Sequence, residues 1–264
     1  MIGVSGVLSL AAVIAGAPIS GRHADSVRCA PTETRASVTP SVRRPPFAAG
    51  ERLSYDVSFG KVHVGSGEMR FVGRDTIRGH EAWTATFTIS GGFSKISVHD
   101  TTTSWFDSLS YNSFRFVQLL NEPGGHPRRD TQIFPERRVY RKNAEPEAES
   151  VADPVDDVSL VYLMRTLTLE PGQCYELHRY FKPDGNPIAV HVVRRERITV
   201  PAGTFNAIVL RPEITTSGIF SQKGRAELWL SDDSTRSVLQ LKSQLPFGSI
   251  NLYLRHVMNG PQRE

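Results

Sequence analysis

Alternation of apolar and polar residues with a period of two is the feature that most restricts what this chain can become. Leu53, Tyr55, Val57 and Phe59 alternate with polar residues, then Val62 and Val64, Met69 and Phe71, and Trp83, Ala85, Phe87 and Ile89 follow. Successive side chains of a strand point to opposite faces, so each such run places one face on a core and the other on water or a ligand. Further strand patterns cover Lys95–Ser104, Ser113–Leu120, Arg128–Phe134, Arg138–Lys142, Gln173–Phe181, Ile188–Val200, Thr204–Ile214, Arg225–Ser231, Val238–Ser243 and Gly248–Val257. Strands this short, joined by turns, form antiparallel sheets. The predicted fold is mainly β: a large, strongly curved antiparallel sheet or half-open barrel.

Three turns carry registers. Centring a hairpin on Asp184-Gly185 pairs Leu177 with Val192, His178 with His191 and Phe181 with Ile188, because glycine accepts a positive φ without steric cost. A second turn, Pro201-Ala202-Gly203-Thr204, brings Val200 opposite Phe205. A third, running from Ser231 through Asp232 to Arg236, brings Leu228 opposite Leu239 and Ala226 opposite Leu241. Apolar residues coincide on one face in all three. One segment breaks the strand pattern. Asp153 followed by Pro154, the acids Asp156 and Asp157, and an apolar run to Arg165 is a helix start, since carboxylates meet unpaired amides and the positive end of the helix dipole. It predicts one short amphipathic helix capped by Asp153.

Before the strands, residues 2–20 carry no charge and Val7–Ala17 is small or apolar, the pattern of a secretory signal, expected over residues 1–24. Its Gly and Ala richness disfavours a stable transmembrane anchor. Arg28 immediately before Cys29 does not fit a lipoprotein signal. Residues 25–46, rich in Thr, Ser, Pro, Arg and Ala, read as a disordered linker, residues 47–258 as one β-rich domain, and residues 259–264 as a tail. Cys29 and Cys174 are too few for a disulfide framework and read as unpaired thiols, with a bridge the alternative in an oxidising compartment. Lys and Arg number 31 against 27 Asp and Glu, a net charge of +4, and the signs are interspersed. Nucleic-acid binding, which needs a concentrated basic stripe, is not expected.

Several segments resemble a family. The opening Phe47–Val57, including Glu51, is similar to the start of bacterial proteins grouped as domain-of-unknown-function family 3108, and so is Val64-Gly65-Ser66-Gly67. The helix Asp156–Arg165, the hairpin Val200–Phe205 with Gly203, and Leu228–Arg236 with Asp232 resemble its later landmarks in the same order. The resemblance implies a secreted, β-rich envelope protein, exported to the periplasm or outer-membrane periphery of a bacterium. It brings no reaction, cofactor or catalytic residue with it.

Catalytic patterns are weak. No G-x-S-x-G occurs, and Gly65-Ser66-Gly67 reads as a strand bend where glycine relieves crowding. The carboxylate pairs Asp156-Asp157 and Asp232-Asp233 have capping and turn roles, and adjacent residues point apart. For metal binding, His178 and His191 would sit side by side across their hairpin, with Glu176 and Cys174 on the same face. A plain cross-strand pair is the better reading, since zinc sites need three or four ligands. No catalytic residue, metal or cofactor is assigned.

Binding by shape remains. A many-stranded sheet with one helix leaves a concave face to be covered or filled. Tyr55, Trp83, Phe87, Trp105, Phe116 and Trp229, with Phe59 and Phe114, are the candidate lining, although strand aromatics commonly serve packing alone. The expected function is a non-catalytic envelope protein holding a lipid or other amphiphile, with arginines at the rim. The alternatives are a structural or partner-binding module of the envelope and an unrecognised hydrolase.

Overall fold

The structure, a computed structural model, describes residues 28–36, 45–93, 96–121, 125–215, 226–245 and 248–258. The expected signal sequence and the C-terminal tail lie outside the described residues. Alternation becomes strands as expected. They are β1 (Thr34–Arg35), β2 (Arg52–Phe59), β3 (Val62–Ile77), β4 (His80–Phe93), β5 (Ile96–Phe106), β6 (Ser113–Leu119), β7 (Arg128–Phe134), β8 (Val139–Lys142) and β9 (Ala148–Glu149). After the helix α1 (Asp157–Thr166) come β10 (Gln173–Leu177), β11 (Ile188–Val200), β12 (Gly203–Glu213), β13 (Glu227–Ser231), β14 (Val238–Leu245) and β15 (Gly248–Met258).

Two meanders make one sheet. Strands β2 to β9 run in chain order, β10 to β15 do the same, and β15 pairs antiparallel with β2 to join them. The order begins at β1 and ends at β9, so the sheet does not close on itself. Only β1, parallel to β10, departs from antiparallel pairing. In β2 the pattern is literal: Leu53, Tyr55 and Val57 are buried while the residues between them are not. Gly65 and Gly91 face each other across β3 and β4. A Cβ on Gly65 would lie 2.2 Å from the Ser90 carbonyl oxygen, and one on Gly91 would lie 2.2 Å from that of Val64. Backbones approach this closely only where neither residue has a side chain, and the pairing of β3 with β2 shifts register beside Gly65.

The helix lies between the two meanders in sequence and packs against β4 and β5. Its residues Val158 to Thr166 are all buried, the mark of a helix enclosed on every side. This is possible because its polar positions have partners. Arg165, 1% exposed, makes a bidentate ion pair with Glu51 at 2.7 and 2.9 Å, and its guanidinium also donates to the carbonyls of Arg236 and Thr235 at 2.9 and 3.1 Å. Three segments far apart in sequence therefore meet on one side chain. Asp232 in turn accepts from Arg195 and Arg236 at 2.9 and 3.0 Å, and Gly203 opens β12 with φ +134°.

The structure corrects four expectations. The helix cap is Asp156, whose carboxylate accepts from the Val158 and Ser159 amides while the Ser159 hydroxyl accepts from the Asp156 amide. Asp153 is exposed and outside the helix, because Val155 is held extended in a bridge to Tyr180. All three hairpin registers shift: Leu177 faces Ile188, Val200 faces Gly203, and Leu228 faces Leu241. At these pairs each shift is an even number of residues, which preserves the face and changes the partner; in the third hairpin a bulge between Trp229 and Leu230 then moves the register by one residue. At Asp184 the tight turn is replaced by a longer loop, with Asn186 bonding the Tyr180 amide and the Tyr180 and Lys182 carbonyls. Finally, Cys29 and Cys174 form a disulfide. Part of the expected linker, residues 28–36, is thereby tied to the sheet edge, with the Thr34 and Ala36 amides bonded to the Gly172 and Cys174 carbonyls.

Candidate functional site

The curled sheet and the first turn of α1 leave a cavity of about 710 Å³, counting the open space at its mouth. One wall is a row of directly paired residues across four strands: Met69 on β3, Phe87 on β4, Thr102 on β5 and Gln118 on β6. Period-two geometry puts all four on the concave face, and Phe116, two residues from Gln118, joins them. Leu228, Val238, Leu241 and Leu252 form the wall from the other meander, with Tyr55 between the two. Asp157, Val158 and Val161 of α1 close the top. The helix is held there by its cap, since Asp156 also accepts from the Ser104 hydroxyl at 2.5 Å and its amide donates to the Ser113 hydroxyl at 3.0 Å.

The lining is apolar with a few polar atoms. The Tyr55 hydroxyl donates to the Val238 carbonyl at 3.0 Å, and burial pushes its ionisation well above the usual phenol range. Asp157, half-buried at the rim, has its carboxyl pushed up to about 7, chiefly by desolvation and next by the neighbouring Asp156. Among the described residues that line it there is no Lys, Arg or His. The arrangement suits an apolar chain with a small polar group. It brings together no nucleophile, base and orienting group of the kind acyl transfer needs.

Three of the six principal aromatic candidates line the cavity: Tyr55, Phe87 and Phe116. Trp83 shares their face but is packed among Phe47, Phe71, Phe106 and Tyr111, with ring centroids 5.4 to 6.2 Å away. Trp105 and Trp229 point to the opposite face. The Trp105 indole donates to Asp75 at 2.8 Å under the Arg115 guanidinium, and that of Trp229 donates to Glu196 at 2.6 Å beside Arg194. Phe114 stacks on His80, and Phe59 is not in the lining. Alternation alone cannot say which of two faces a tryptophan takes when both are half covered. Gln118, Thr102 and Met69 were not singled out in sequence, because only the register aligns them with Phe87.

The histidine pair does not form. The register shift places His191 opposite Cys174, and its Nδ1 lies 2.7 Å from a Glu33 oxygen. His178 is exposed, 3.8 Å from Glu176. Glu33, Cys174 and His191 do converge, with ligand-type atoms within 4.8 Å of one another. The Cys174 sulfur is bonded to Cys29, however, and a disulfide sulfur is not the thiolate that a zinc site uses.

A family model described as "Protein of unknown function (DUF3108)" matches residues 54–255. No curated protein matches the chain. Among solved structures, a β-barrel-like protein of domain of unknown function DUF1849 from Brucella abortus is similar at 11% identity and TM-score 0.52, covering 81% of this chain and 99% of that one. A candidate lipoprotein from Parabacteroides distasonis aligns at 10% identity and TM-score 0.36, covering 81% and 98%. A candidate exported protein with a YmcC-like fold from Bacteroides fragilis aligns at 10% and 0.33, again covering 81% and 98%. The Brucella likeness bears on the fold alone.

Proposed function

This chain belongs to the DUF3108 family of proteins of unknown function, and from that premise we propose that it is a non-catalytic, exported envelope protein that holds an apolar or amphiphilic ligand in its cavity. The observation that carries this reading is the cavity itself, open at its mouth between α1 and the concave face and lined mainly by apolar side chains. Small-molecule sites are concave and mostly apolar, with a few placed polar groups, and this lining has that character. Two further observations support the reading. The buried Cys29–Cys174 disulfide suits an oxidising compartment. The sheet edges β1 and β9 are two residues each, which offers little for strand addition by a partner. No helix among the described residues is long and apolar enough to cross a membrane.

Native mass spectrometry of the full chain, made with export in a bacterial envelope and purified without detergent, tests the reading. The expected result is added mass of a few hundred daltons, lost on organic extraction and lost in Val161→Phe, which fills the cavity from the helix side. A bare polypeptide mass that also fails to take up added amphiphiles would overturn it.

A further inference from the structure

One side chain in the cavity is short of partners. Gln118 is 7% exposed and lines the cavity, yet among the described residues nothing hydrogen-bonds its amide. Its cross-strand neighbour Thr102 likewise has a hydroxyl on the lining with no bonding partner among them. Two donors and an acceptor on Gln118, with the Thr102 hydroxyl beside them, make a demand that an apolar chain cannot meet. Neither group is sealed from solvent, so water meets them through the mouth, and a ligand that displaces this water must replace its hydrogen bonds or leave the amide unbonded at a cost. The demand is for an uncharged group that can both accept and donate, such as an ester carbonyl or a hydroxyl.

An anion is poorly served by the same site. Among the described residues no Lys, Arg or His lines the cavity, and the one carboxylic acid there is Asp157. The amides at the start of α1, the natural place for an anion, are already taken by the Asp156 carboxylate at 2.8 and 3.0 Å. Lys182 and Tyr180 act on Asp157 but lie outside the lining, and Arg129, next to Gln118 in its row, is also outside it and engaged elsewhere. The rim of arginines expected from sequence is therefore not part of the cavity wall.

We propose that the cavity selects amphiphiles whose polar group is uncharged and hydrogen-bonding, as in a monoacylglycerol or a long-chain alcohol, over free fatty acids of the same chain length. The proposal rests on the reading of the cavity as an amphiphile site and names the class it takes. Displacement of the neutral fluorophore N-phenyl-1-naphthylamine from the delipidated full chain tests it, near pH 8 and below the aggregation limit of each competitor. Monododecanoylglycerol should displace the fluorophore at about tenfold lower concentration or less than dodecanoate. Gln118→Leu should weaken the glycerol ester and narrow that gap, and Asp157→Asn should narrow it from the other side by strengthening dodecanoate. Equal or better displacement by dodecanoate, lost in Arg129→Gln, would show an anion-binding rim and overturn the selectivity while leaving the amphiphile reading in place. Failure of the fluorophore and of every competitor to bind would overturn both.

Discussion

Asp156 and Asp157 are neighbours in sequence, and burial pushes both carboxyls up, but the two meet different partners. Asp156 is fully buried and satisfied by two helix amides and the Ser104 hydroxyl. Asp157 faces the cavity with only the Tyr180 hydroxyl, 3.5 Å away, and the charge of Lys182 in its favour. Desolvation, then the Asp156 charge, pushes it up to about 7. Its unfolded value is that of an ordinary carboxyl, so between about pH 4 and 7 the native state binds the extra proton. Stability from this group is present at low pH and is lost as pH rises through that window. Asp157→Asn should match the parent near pH 4 and exceed it at pH 8 by ~1–3 kcal/mol, allowing for partial exposure. Urea denaturation at the two pH values measures this, and an Asn variant that is weaker at pH 8 would refute the assignment.

Among the elements, β3 and β4 carry the tightest constraint. Gly65 and Gly91 let their backbones approach where a Cβ would overlap a carbonyl, in the two strands that supply Met69 and Phe87. Gly65→Ala should cost about 1–3 kcal/mol or more. Gly125→Ala, where a Cβ meets nothing within 4 Å, should stay within about 0.5 kcal/mol. Equal costs in thermal or chemical unfolding would show that the close approach is not what matters. The elements were largely readable in sequence because period two and cap chemistry are local. Asp156, in place of Asp153, became the cap because a long-range bridge from Val155 to Tyr180 holds the preceding residues extended.

At the scale of the whole molecule, the disulfide links residue 29 to residue 174, 145 positions apart, while β1 pairs with β10 and the adjoining Glu33 meets His191 of β11. Closing so long a loop is worth about 4–5 kcal/mol in the chain-entropy account. Cys29→Ser should lower global stability by roughly 2–5 kcal/mol and expose Arg35 to trypsin in the native state, with the cavity and α1 unchanged. Continued protection of residues 28–36 would mean that the parallel pairing of β1 and the Glu33–His191 contact suffice without the disulfide.

Local pattern by itself determined that this chain forms many antiparallel strands and one helix, where most of them lie, and which face of each hairpin is apolar, because alternation and end-capping act over a few residues. It also marked Glu51, Arg165 and Arg236 within family landmarks, though not that they meet. Only the tertiary structure decided the registers, and with them that Gln118 and Thr102 stand in line with Phe87 and that His191 faces Cys174. A slip of two or four residues keeps every apolar side chain on its face, so the hydrophobic pattern is blind to it. The choice is made by contacts between segments far apart in the chain, among them the Glu51–Arg165 pair, the disulfide and the packing of α1 into the curled sheet.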